Sequence, residues 1–187
     1  SSMPRLKLTI AYVGTQYHGW QTQARKNASP LPTIQNIIED AVAHVLGERV
    51  HVHGAGRTDA GVHAEAQVAH LDVPESRARM DWQLALNTLL PRDIRIADAV
   101  LVPDTFHAQH SAVRKTYEYR LWLSKRYTPP QLYPFVWACG PVDVERSAKR
   151  RCHARGAVGR SLCAADAQLR IGGGCELQEG LLPGPGS

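Results

Sequence analysis

Aromatic residues are missing from the last quarter of this 187-residue chain: all 12 lie before residue 146, the last being Trp137. Cysteine is missing from the first 138 residues, and the four present, at 139, 152, 163 and 175, form no Cys-x-x-Cys pair. That usage argues against a disulfide scaffold and makes the cytoplasm the expected compartment. No run of the sequence approaches the roughly 20 apolar residues needed to span a bilayer, which excludes a transmembrane helix. Ser1 to Arg5 lead straight into an alternating pattern without the apolar core of a signal peptide. A strong charge bias is also lacking where it would matter most. Residues 1–145 carry 15 Lys/Arg against 14 Asp/Glu, so most of the net +5 comes from residues 146–187, with 7 against 3. A nucleic-acid partner must therefore be argued from local clusters, not from the overall charge.

The first 145 residues alternate between two periodicities. Leu6, Leu8, Ile10 and Tyr12 alternate with Lys7, Thr9 and Ala11, the pattern of a half-buried strand. From Ile34, the positions Ile37, Ile38, Ala41, Val42, Val45 and Leu46 mark one helical face, which Gly47 ends. Val50 and Val52 suggest a second strand, and Ala66 to Val73 a third. Asp81 caps a short helix that Pro91 stops, Ile94 to Val102 reads as a strand, and Val113 to Leu123 is the longest strand pattern. Strands and helices mix without strict alternation. The expected class is α+β, a mostly antiparallel sheet with helices on one face.

Residues 146–187 differ in kind. They hold eight of the 15 glycines, including Gly172-Gly173-Gly174, and end Pro183-Gly184-Pro185-Gly186-Ser187. Such a segment has little apolar surface to offset the entropy of ordering it. The expectation is a domain over 1–145 and an atypical Gly/Pro/Cys-rich tail over 146–187, poorly ordered or read from a shifted frame.

The chemistry concentrates between the second and third strands, in Gly54-Ala55-Gly56-Arg57-Thr58-Asp59-Ala60-Gly61-Val62-His63. Three glycines in eight residues permit sharp turns and close backbone approach, and among them stand a cation, a carboxylate and an imidazole. A strand–loop–strand frame presenting an Arg and an Asp suits a catalytic group. On spacing alone, Asp59 and Thr58 serve equally well as hydrogen-bonding turn residues.

Residues 56–63 resemble the active-site motif of the TruA family of tRNA pseudouridine synthases. Tyr12-Val13-Gly14-Thr15-Gln16-Tyr17-His18-Gly19-Trp20-Gln21 is similar to that family's first-strand signature. Thr33-Ile34-Gln35, Asn87-Thr88-Leu89-Leu90-Pro91, Phe106-His107-Ala108 and Lys115-Thr116-Tyr117-Glu118-Tyr119 resemble its later motifs, in order. The resemblance covers about residues 6–145 and implies the N-terminal half of a pseudouridine synthase fold.

It further implies that Asp59 is the catalytic carboxylate, that Tyr117 stacks on the target uracil, and that Arg57 pairs with the aspartate and helps displace the base. The implied substrate is uridine in the anticodon stem-loop of tRNA, at positions 38–40, and the implied assembly is a homodimer. The reaction needs no cofactor: it breaks the N1–C1′ bond, turns the uracil and joins C5 to C1′. A carboxylate can act as nucleophile or base in that sequence, and an aromatic face can hold the detached base.

Without the resemblance, Tyr117 is as readily a sheet residue and Arg57 a loop tie. Arg25, Lys26, His63, Arg114 and Lys115 are candidate contacts to the RNA backbone. Zinc requires about four converging ligands, and the eight histidines before residue 146 show no carboxylate or cysteine at ligand spacing, so no metal is expected. The alternative from a different class is a non-catalytic RNA-binding fragment, separable by tritium release from uracil-C5-labelled tRNA.

Overall fold

The computed structural model describes residues 3–21, 32–124, 126–138, 164–165 and 168–177. Within them lie eight strands and two α-helices, in two compact units, residues 1–111 and 112–187. The boundary expected near residue 145 falls outside the described residues. No helix among the described residues is long and apolar enough to cross a membrane.

The first unit is built on a four-stranded antiparallel sheet, in the order β2-β3-β1-β4. These strands are β1 (Arg5–Tyr12), β2 (His53–Gly54), β3 (Ala64–Asp72) and β4 (Ile94–Val102). Alternation along β1 works as the sequence suggests: Leu6, Leu8, Ile10 and Tyr12 are buried while Arg5, Lys7, Thr9 and Ala11 are only partly so.

The buried face of β1 joins one apolar core with helices α1 (Ile34–Leu46) and α2 (Trp82–Leu89), through Ile34, Ile38, Val42, Trp82 and Leu86. Each fully buried Leu or Ile stabilises the fold by about 1.5–3 kcal/mol. Both helices start at side-chain caps. The Thr33 hydroxyl accepts from Asn36 N–H, and the Asp81 carboxylate accepts from Leu84 N–H. The N–H of Gly47 closes the end of α1 on the Ala43 carbonyl. This is the α+β class with a mostly antiparallel sheet that the periodicities suggest.

One expected strand is shorter than its pattern. Val50 and Val52 lie outside any strand, and β2 begins only at His53. The cause is local: the N–H of Val52 donates to the buried Glu39 carboxylate, and its carbonyl accepts from the Gln35 amide. With its N–H spent on Glu39 and its carbonyl engaged by Gln35, Val52 has no donor left for a strand neighbour.

The second unit holds a separate sheet in the order β6-β5-β8-β7: β5 (Ala112–Trp122), β6 (Trp137–Ala138), β7 (Ala164–Ala165) and β8 (Gln168–Leu177). β8 runs antiparallel to β5, with Gly172 and Gly173 opposite Glu118 and Tyr117, and β6 runs parallel to it. Of these strands, β7 and β8 lie within residues 146–187. The rest of 146–187 lies outside the described residues.

Candidate active site

The loop from Gly54 to His63 is held against the segment Tyr12–Trp20 at several points. Trp20 N–H donates to the Thr58 carbonyl (3.0 Å), Gly61 N–H to the Tyr17 carbonyl (3.2 Å), and Gly14 N–H to Nδ1 of His63 (3.0 Å). The Tyr12 hydroxyl and the Thr58 hydroxyl share a 2.8 Å bond, and the Gln67 amide donates to the Gly56 carbonyl at 2.6 Å. The facing segment is itself tied down by the Tyr17 hydroxyl, which donates to the Asp93 carboxylate at 2.7 Å. Burial and that carboxylate push the Tyr17 phenol well above its ordinary range.

Two glycines make the close approach possible. Gly19 has φ of 81°, in the left-handed region, and a Cβ there would collide with the Thr58 carbonyl. A Cβ on Gly14 would collide with the carbonyl of Val62. The glycines in the sequence at these positions therefore belong to the loop's seat rather than to the loop alone.

Within this frame Gly56 and Thr58 are half-buried while Arg57 and Asp59 are exposed. Asp59 thus stands on a fixed loop with its carboxylate open to a ligand. Among the described residues no ion pair joins Arg57 to Asp59, in contrast to the pairing implied by the resemblance. Two exposed side chains gain little from such a pair in water, which leaves both available to an incoming ligand.

His63 turns into the frame through its bond to Gly14 and is half-buried. In the second unit, Tyr117 lies on β5 with its ring half-exposed, next to the exposed Arg114 and the partly buried Lys115. Arg25 and Lys26 lie outside the described residues.

A second cluster of chemistry-bearing side chains lies at the far end of β3. His53, His70 and His107 each place one ring nitrogen within 4.8 Å of the others; the rings of His53 and His70 stack, His51 meets His53 edge-on, and His110 lies tilted against His107. Three imidazoles are a donor set for a divalent transition metal. Their hydrogen bonds fit it poorly. Nδ1 of the buried His70 accepts from Ala108 N–H at 3.1 Å, and Nδ1 of His107 accepts from Gln109 N–H at 3.2 Å. A neutral ring that accepts at Nδ1 carries its proton on Nε2, the atom a metal would need bare.

Next to this cluster Arg5 makes a two-pronged ion pair with Asp72 (2.7 and 3.0 Å) and donates to the carbonyls of Asp104 and Phe106. The guanidinium holds the Asp72 carboxyl below its usual range. Burial, with Arg5 and the neighbouring imidazoles adding to it, lowers His70 to about 4. Burial also lowers His53 and His107.

The convergence of these histidines escapes the sequence because they come from separate strands and a loop. The same holds for Gln67 and Tyr12 under the Asp59 loop. The only sequence signal for the latter is that Tyr12 and Gln67 stand on strand patterns flanking the glycine-rich segment.

Comparison with known proteins places these motifs in context. The family model described as tRNA pseudouridine synthase matches residues 8–111, the whole strand-and-loop frame around Asp59. The tRNA pseudouridine synthase A of Lawsonia intracellularis is 63% identical over 147 residues, which cover 79% of this chain and 57% of the relative. That of Oleidesulfovibrio alaskensis is 54% identical over 146 residues, covering 76% and 52%. The enzyme of the same name from Rhodopseudomonas palustris is 49% identical over 122 residues, covering 65% and 47%. The chain spans about half the length of the curated relatives it matches.

Proposed function

Because this chain belongs to the tRNA pseudouridine synthase family, we propose that it isomerises uridine to pseudouridine in the anticodon stem-loop of tRNA, with Asp59 as the catalytic carboxylate. The observation that carries this reading is the exposed Asp59 on a loop tied to the sheet before it, at Gly56 and Thr58, and to the segment following β1 after it, at Gly61 and His63. A group fixed by its backbone and open to solvent on its side chain can meet a reacting ribose without reorganising first.

The reaction is an isomerisation. The N1–C1′ bond breaks, the uracil turns in place, C5 bonds to C1′, and the C5 proton is lost to solvent while N1 gains one. Asp59 supplies a carboxylate oxygen, which can attack C1′ or C6, or remove a ribose proton, at the step that frees the base. Tyr117 offers its half-exposed ring as a face on which uracil stacks while detached. Arg57, exposed two residues before Asp59, donates to the substrate and helps to displace the base. Arg25, Lys26, His63, Arg114 and Lys115 contact the RNA backbone in this reading, and the protein acts in the cytoplasm as a homodimer.

The test is tritium release from tRNA labelled at uracil C5, using the full chain and Asp59→Asn. The wild-type chain should release tritium, and Asp59→Asn should not, while tRNA binding persists in both. The amide keeps the size and turn bonding of the carboxylate but has neither its charge nor its nucleophilicity. Substantial release by Asp59→Asn would overturn the assignment. Binding without release by the wild type would leave an RNA-binding role in its place.

A further inference from the structure

Asp59 and Arg57 are exposed, but the residues between and before them, Thr58 and Gly56, are half-buried and anchored from within. The Gly56 carbonyl accepts from the Gln67 amide at 2.6 Å, and the Thr58 hydroxyl bonds the Tyr12 hydroxyl at 2.8 Å. We infer that Tyr12 and Gln67 are positioning residues for the Asp59 carboxylate, acting through the Thr58 hydroxyl and the Gly56 carbonyl. The inference rests on the reading of Asp59 as catalytic.

Packing does not require these polar groups. The ring of Tyr12 is 3% exposed and lies in the apolar core beside Trp20, with ring centres 6.3 Å apart. A phenylalanine would fill the same space and spare the desolvation of a hydroxyl. The hydroxyl makes its bond to the residue immediately before Asp59. Gln67, half-buried on β3, directs its amide to Gly56 from the strand next to β1.

Together the two contacts pin residues on either side of Arg57. A slip of the loop by one residue in the direction that sets Asp59 at the place of Thr58 would turn the carboxylate into that half-buried position. The two bonds oppose that slip, as alternation fixes register in a strand. A carboxylate displaced by about 1 Å loses on the order of 10²-fold in rate while contacts to the rest of the tRNA persist.

The full chain is tested as wild type, Tyr12→Phe, Gln67→Met, Thr58→Val, Thr58→Ser and Asp59→Asn. One measurement is hydrogen exchange at the amides of Trp20 and Gly61, which bond across this interface to Thr58 and Tyr17. Loss of the hydroxyl bond should speed exchange there by roughly fivefold or more, with amides inside β1 and β3 unchanged. The other is single-turnover tritium release together with tRNA affinity.

Tyr12→Phe, Gln67→Met and Thr58→Val should slow release by roughly 10- to 100-fold while changing affinity by less than about twofold. Thr58→Ser, which keeps the hydroxyl, should restore most of the rate. Unchanged exchange at Trp20 and Gly61 overturns the inference, whether or not the chain turns over. So does wild-type release by Tyr12→Phe and Thr58→Val when Asp59→Asn has none. Release by Asp59→Asn refutes the catalytic reading instead, and the exchange data then still decide whether the brace exists.

Discussion

Acid should weaken the first unit in a window set by one buried imidazole. His70 is 3% exposed, and its Nδ1 accepts from Ala108 N–H, so it links β3 to the segment after β4 only while neutral. Burial first, then Arg5 and the imidazoles of His107 and His53, lower it from 6.5 to about 4, and Asp72 offsets this only in part. The folded state therefore binds fewer protons than the unfolded chain between those values. Its stability is complete above pH 6.5 and falls as pH drops towards 4.

At 1.36 kcal/mol for each unit, the full loss attributable to His70 is about 3 kcal/mol. That is a large share of the roughly 5–15 kcal/mol typical of a domain. His53 and His107, also lowered, act in the same direction. Asp72, held low by Arg5, loses its contribution only below pH 3.8, outside this window.

The assay is urea unfolding from pH 8 to 4.5 of the wild type and His70→Asn. The Asn side-chain oxygen stands about where Nδ1 stood and can accept from Ala108 N–H, but it does not titrate. The variant should start less stable at pH 8 and lose clearly less on acidification. Parallel curves for the two proteins would refute the argument.

Three further outcomes follow from the same geometry. Tyr117→Phe should keep tRNA affinity and activity far better than Tyr117→Ala, since stacking is worth about 1–3 kcal/mol per base; equal losses in both would point to the hydroxyl rather than the ring face. Ile38→Ala, at a fully buried position on α1, should cost about 2–5 kcal/mol in chemical denaturation, and a loss under 1 kcal/mol would mean the core collapses around the gap. Gly19→Ala should cost at least about 1–2 kcal/mol from its left-handed backbone, with more from the Thr58 carbonyl in its path; a melting temperature equal to wild type would contradict that seat for the loop.

Most of the first unit was legible in the sequence, because local physics dictates it. Period-two alternation in Leu6–Tyr12, the helical face from Ile34 to Leu46 and the cap at Asp81 each depend on neighbours within a turn or a strand. The segment 56–63 stands out through its resemblance to a family motif; on spacing alone Asp59 and Thr58 serve equally well as turn residues. Where the sequence pattern misleads, a distant group intervenes. Val52 looks like a strand residue, but Glu39 and Gln35 claim its backbone.

Tertiary structure alone decides which groups converge. It sets Tyr12 and Gln67 beneath the Asp59 loop from two adjacent strands. It also gathers His53, His70 and His107 around one point and neutralises the buried member. Periodicity reports which face of an element is buried. It carries no information on which buried faces meet, and hydrogen bonding and desolvation at those meetings are what tune the reactive groups.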